Sequence, residues 1–121
     1  MQDSIYKEKI LDHYRYPHNF GVLKKPTHRA GHQNISCGDA LQFQARVEKG
    51  KITDIAFTGN GCAISMASAS LLSEYLKNKS LTTIKKFSKK DIEKLLGIQI
   101  SHAREKCAML GVETLKQLKK I

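Results

Sequence analysis

Three cysteines, Cys37, Cys62 and Cys107, carry most of the reactive chemistry available to this chain. They are 25 and 45 residues apart and none belongs to a CxxC pair, so the close knuckle spacing of a structural zinc finger is absent. Disulfides cannot exhaust an odd number of thiols, whereas metal ligation and thiol transfer have no parity requirement. Cys62 stands in Phe57-Thr-Gly-Asn-Gly-Cys62-Ala-Ile-Ser-Met-Ala-Ser-Ala-Ser70, where the pattern turns from strand-like to helix-like. Gly59 and Gly61 can take positive φ, which predicts a sharp turn delivering Cys62 to the first turn of a helix. Unpaired amides and the helix dipole there favour a thiolate. Cys37 sits at a second glycine-bearing turn, Asn34-Ile-Ser-Cys37-Gly-Asp39, with Asp39 either a ligand or a turn residue bonding its own backbone. Spacing alone leaves two readings open: one metal or thiol-transfer site at the end of a sheet, or three unrelated small buried residues.

The elements that must position these residues are legible as periodicities. Ser4 to Tyr14 reads as an amphipathic helix on Ile5, Tyr6, Ile10, Leu11 and Tyr14, capped by Asp3 or Ser4 and ended by Pro17 and Gly21. Tyr16 to Pro26 reads as a surface loop, and His13, His18 and His28 in or beside it read as surface or hydrogen-bonded histidines. Leu41 to Val47 alternates apolar and polar, as a half-buried antiparallel strand requires, and Glu48 to Lys51 is its turn. Ile52, Ile55 and Phe57 form the next strand, and a short strand over Gly31 to Ser36 completes a three-stranded meander. The helix after Cys62 places Ile64, Ser68, Leu71, Tyr75 and Leu76 on one stripe, with Ala63, Ala67 and Ala69 permitting close approach; Asn78 and Ser80 end it. Lysine-rich Leu81 to Phe87 is a poorly patterned connection or a short helix. Ser88 and Asp91 announce a capping box for a helix ending at Gly97. Ser101 caps a last helix whose inner stripe is Ala103, Cys107, Leu110, Thr114, Leu118 and Ile121.

With 121 residues, 40% hydrophobic and 26% charged, the composition describes a single domain, 1–121, with a modest core. No run approaches the ~20 apolar residues of a membrane span, and Met1-Gln-Asp-Ser-Ile-Tyr lacks the features of a secretory signal, so the expectation is a cytoplasmic, reducing compartment and no membrane partner. The net charge of +10 comes almost wholly from lysines, with Arg15, Arg29, Arg46 and Arg104 the arginines. Phosphate and base readout lean on arginine forks and interleaved aromatics, so the charge is read as a solvated lysine face rather than a nucleic-acid surface.

Asp12-His-Tyr-Arg-Tyr-Pro17-His-Asn19-Phe-Gly21, Cys37-Gly-Asp39, Gly59-Asn-Gly61-Cys62-Ala-Ile-Ser65-Met-Ala-Ser68 and Lys106-Cys107-Ala-Met-Leu110 follow one another over nearly the whole chain. Together they resemble the U-type iron-sulfur cluster assembly proteins, the family of the NifU N-terminal domain. The resemblance implies an α+β fold, a three-stranded antiparallel sheet with an N-terminal helix and C-terminal helices packed on it. It also implies convergence of Cys37, Asp39, Cys62 and Cys107 on one exposed site that holds zinc or an iron-sulfur cluster, 2Fe-2S by type. The implied partners are a cysteine desulfurase, which supplies sulfur, and apo iron-sulfur acceptor proteins. The wording around Cys62, and Lys106 before Cys107, resemble the SufU branch, where tightly bound zinc and sulfur acceptance are typical; the IscU branch carries a histidine at the latter position. Cys37 is the sulfur acceptor by SufU resemblance and Cys107 by IscU resemblance. Departures are a short interval from Cys62 to Cys107 and, at Gly97 to Arg104, the lack of the IscU proline-rich segment that a chaperone recognises. The residues themselves add that three thiolates and a carboxylate can hold zinc or an iron-sulfur unit, the oxygen ligand exchanging most readily. His102 is an alternative ligand at a poor helical angle to Cys107, and Lys106 either faces solvent or assists a thiolate. The competing reading is a small basic binding module with a structural zinc and no sulfur chemistry.

Overall fold

The computed structural model describes residues 2–34 and 38–121. The chain runs α1 (Gln2–Arg15), β1 (His28–Asn34), β2 (Asp39–Glu48), β3 (Lys51–Asn60), α2 (Ala63–Leu76), a 3-10 segment Leu81–Lys86, α3 (Lys89–Leu96), a 3-10 turn His102–Arg104, α4 (Glu105–Leu115) and β4 (Lys119–Lys120). The strands form one antiparallel sheet in the order β3-β2-β1-β4.

Among the described residues the sheet therefore has four strands where the sequence pattern predicts three. After α4 ends at Leu115 the chain turns back, and Lys119 and Lys120 pair with Arg29 and His28 on the edge of β1. Two lysines carry no apolar alternation, and their pairing is driven by the unpaired backbone groups that an edge strand presents. This also corrects the last helical stripe: Cys107, Leu110 and Thr114 are buried, but Ala103 and Ile121 are exposed and Leu118 is only partly covered. The first strand begins earlier than expected, at His28, and the expected residues Ile35 and Ser36 lie outside the described residues.

Leu41, Phe43 and Ala45 of β2 point into the core, as alternation requires. Their partners on β3 depend on an irregularity. Arg46 pairs with Asp54 while Val47 pairs with Ile52, so Thr53 is an extra residue on β3, and this bulge lets Ile52 and Ile55 both be buried although they are three positions apart. The hairpin closes with Lys49 at φ 51° and Gly50 at φ 78°, the left-handed pair that matches strand twist.

α2 is the centre of the molecule. Every residue from Ser65 to Ser73 is buried, as is Leu76, because α1, α3, α4 and β3 all pack on it. Only part of the expected stripe was needed; Tyr75 is exposed and takes Phe87 edge-on instead. Gly111 of α4 lies where a Cβ would stand 3.0 Å from Leu72 Cδ1, which sets how closely α4 and α2 approach. α3 is held by Asp91, whose carboxylate accepts from the Ser88 backbone N–H at 2.8 Å and from its hydroxyl at 3.0 Å, and Gly97 ends it at φ 77°.

α1 packs through Ile10 and His13, whereas Leu11 and Tyr14 remain exposed, so the helix docks on a partly polar face. His13 Nδ1 meets Ser70 Oγ at 2.7 Å. Burial, then the neighbouring His18 and Lys9, push the His13 imidazole below its ordinary pKa against a small opposing effect of Asp12. The loop after α1 covers the outer edge of β3: the Phe57 N–H donates to Asn19 O at 3.0 Å and the Gly21 N–H to Phe57 O at 2.8 Å. Asn19 bonds Ser73 Oγ at 2.9 Å and the Ser73 hydroxyl donates to Ser70 O at 2.6 Å.

Gly59 is the tightest position in the sheet. It has φ +152°, and a Cβ there would lie 2.2 Å from the Ala40 carbonyl oxygen. Gly59→Ala is expected to destabilise by at least about 2 kcal/mol because backbone must move. Gly50→Ala, with φ +78° and nothing within 4 Å of its Cβ, should cost only about 1 kcal/mol. Urea unfolding of both variants checks the contrast, and equal losses would show that the Gly59 crossing does not constrain the sheet.

Candidate metal centre

The close crossing of β2 and β3 brings the start of one strand beside the end of the other, Ala40 opposite Asn60, and so places Asp39 next to the entry of α2. Gly61 serves this junction by lacking a side chain, not by a positive φ: a Cβ would stand 3.2 Å from Asp39 Cγ and 3.0 Å from Ser65 Cβ. Cys62 is the N-cap residue of α2 rather than a member of its first turn, with φ −69° and ψ 171°, and its carbonyl accepts from the Met66 N–H at 3.0 Å. α4 crosses α2 with Cys107 in its first turn.

Asp39, Cys62 and Cys107 each offer a ligand atom, and these atoms lie within 4.8 Å of one another. Asp39 is 4% and Cys107 8% exposed, while Cys62 is half-buried, so the group is sunk below the surface but open through Cys62. Cys37 lies outside the described residues, two positions before Asp39 in sequence. Asn34 and Gly38 are joined by a hydrogen bond from the Gly38 N–H to Asn34 O at 2.9 Å. His102 is exposed on its 3-10 turn and is not in the cluster, and Lys106 is exposed to solvent.

Ser65 joins the three residues. Its hydroxyl donates to Asp39 Oδ2 at 2.5 Å, and the same oxygen lies 3.2 Å from the Cys107 carbonyl and 3.5 Å from Cys62 Sγ. The sequence contains Ser65 in a recognisable segment but offers no role for it. The available signal was its position three residues after Cys62, which on a helix turns a side chain back over the N-terminus. Burial alone would raise the Cys62 thiol. Hydrogen bonds with the Ser65 hydroxyl and backbone N–H and with the Cys107 thiol outweigh it, so the Cys62 pKa falls below its ordinary value despite the Asp39 charge.

Two soft sulfurs and one hard oxygen at this separation form a donor set suited to zinc or ferrous iron, and too poor in oxygen for calcium or magnesium. A groove of about 520 Å³, lined in part by His32, Asn34, Lys89, Lys106 and Met109, opens between β1 and α4.

Residues 5–119 match the model of the NifU-like N-terminal domain. The chain belongs to that family. Among relatives of this NifU-like domain, the zinc-dependent sulfurtransferase SufU of Bacillus subtilis is 33% identical, covering 95% of this chain and 89% of the relative. The iron-sulfur cluster assembly scaffold protein IscU of Aquifex aeolicus is 37% identical over 91% of this chain and 71% of its own length. The crystal structure of a nitrogen-fixing NifU-like protein (N-terminal) from Brucella abortus superposes with a TM-score of 0.76, covering 93% of this chain and 90% of that one. At 18% identity that likeness speaks for the α+β fold alone.

Removing the Ser65 hydroxyl should raise the Cys62 pKa, because a net lowering hydrogen bond disappears while burial remains. The pH midpoint for iodoacetamide modification of metal-free protein is expected to lie below the ordinary thiol value of about 8.5 in the wild type and to move up in Ser65→Ala. An unchanged midpoint would mean that Ser65 does not tune the thiol.

Proposed function

We propose that this chain is an iron-sulfur cluster assembly protein that accepts sulfur from a cysteine desulfurase and holds zinc or a transient iron-sulfur cluster at Cys37, Asp39, Cys62 and Cys107. The observation that carries the reading is the meeting of Asp39, Cys62 and Cys107 within 4.8 Å at the β2–α2 junction. Membership of a family whose relatives are named for zinc-dependent sulfur transfer and for cluster scaffolding supports it. We read residues 1–121 as one assembly domain acting in the cytoplasm; no helix among the described residues is long and apolar enough to cross a membrane.

In this reading each residue has a distinct task. Cys62 presents a thiolate at modest pH, and Cys107 supplies a second sulfur from the buried wall. Asp39, oriented by Ser65, supplies the oxygen that gives way most easily during release. Cys37 receives sulfur: its thiolate attacks the terminal sulfur of a persulfide on the desulfurase, a new S–S bond forms, and the desulfurase cysteine leaves as a thiolate. Cys107 is the second acceptor candidate. Zinc, when bound, would keep the thiols deprotonated. Apo iron-sulfur proteins would then take the assembled cluster as the product.

Two measurements test this. Purified protein should hold one thiol-bound metal ion per chain, lost in Cys62→Ser and in Cys107→Ser by elemental analysis. Incubation with a cysteine desulfurase and cysteine should leave a persulfide at Cys37 or Cys107 by peptide mass spectrometry. Full metal content with no persulfide would leave a binding module with a structural zinc. For Asp39→Ala, zinc affinity in chelator competition should fall at least about tenfold, the scale of losing a supporting group at a metal site. A cluster reconstituted on that variant should pass more slowly to an apo-acceptor. Unaltered affinity and transfer would make Asp39 a turn residue only.

A further inference from the structure

Farther along α2, a second group of ligating side chains converges that the cluster-assembly reading does not use. His13 of α1, His18 of the following loop and Glu74 of α2 offer ligand atoms that all lie within 4.8 Å of one another. His18 Nδ1 is in contact with the Glu74 carboxylate, and the His13 and His18 rings stand 4.6 Å apart at 41°. Cys62 and Glu74 are twelve residues apart on one helix, about 18 Å along its axis, so the two groups are separate.

We propose that His13, His18 and Glu74 form a second divalent-metal site, selective for borderline cations such as zinc, with water completing the coordination. Two imidazoles and one carboxylate are a donor set of that class. The arrangement is also built in the way such sites are. Metal-bound histidines engage their other ring nitrogen with a fixed partner, and Ser70 Oγ, 2.7 Å from His13 Nδ1, holds that ring in place. The same oxygen accepts from the His18 backbone N–H at 2.8 Å, which fixes the second ligand relative to the first. His13 is 8% exposed, whereas the side chains of His18 and Glu74 are 55% and 41% exposed, so an ion reaches the group from solvent without any opening of the core.

The test uses the full chain, titrated with zinc chloride by calorimetry after the thiol site has been filled with one equivalent. A second equivalent should bind to the wild type and weaken at least about tenfold in His18→Gln and in Glu74→Gln, the thiol-bound ion being retained in both. Both positions are half-exposed, so the variants should fold, and circular dichroism verifies it. In Cys62→Ser, which loses the thiol-bound ion, this histidine-bound equivalent should persist, with zinc-dependent shifts of the His13 and His18 ring nitrogens by NMR. Absence of a second equivalent in the wild type, its survival at full affinity in both variants, or its loss in Cys62→Ser would each overturn the proposal.

Discussion

Hydroxyls buried along a helix cannot be left unbonded without a penalty of about 1–3 kcal/mol each, and α2 carries four fully buried serines. Three of them organise the molecule. Ser65 reaches Asp39 and the Cys107 carbonyl, Ser70 reaches His13 and the backbone of His18, and Ser73 is bonded by Asn19. Among the described residues Ser68 Oγ lacks a protein partner. The strand entry, the first helix and the loop after it are thus tied to one helix by directional bonds, over and above the apolar burial that brings them there. Small side chains make this work, because alanines and serines let neighbours approach near enough for a hydroxyl to bridge.

The same geometry reconciles stability with reactivity at the candidate centre. A carboxylate next to two sulfurs would be hard to bury if it stood alone. Ser65 and the absence of a Cβ at Gly61 let Asp39 sit inside while still facing Cys62. The thiolate is favoured by hydrogen bonds rather than by a nearby cation, since Lys106 points to solvent.

Much of the architecture could be read from periodicity and punctuation. The alternation in β2, the left-handed Lys49-Gly50 turn, the Ser88–Asp91 cap and the αL Gly97 are local decisions, written into a few neighbouring residues each. The cysteine positions and their segments pointed to the family, and Asp39, Cys62 and Cys107 do come together. Less legible were features whose partners are distant in sequence: the fourth strand depends on β1 having an open edge, and the inward face of α1 depends on what α2 offers it.

What the sequence by itself determined was therefore the order of elements, their caps and turns, and the residue types able to hold soft metals or sulfur. What only the tertiary structure decided was which groups meet. Gly59 and Gly61 looked like turn formers, yet one is required by the Ala40 carbonyl across the sheet and the other by the Asp39 carboxylate. Ser65 and Ser70 carried no role in the sequence and His13 read only as a surface or hydrogen-bonded histidine, and each proved to be a contact across at least 26 residues of chain. Local pattern reports the backbone's own preferences, whereas a site is made by side chains that touch only once the helix and sheet have packed.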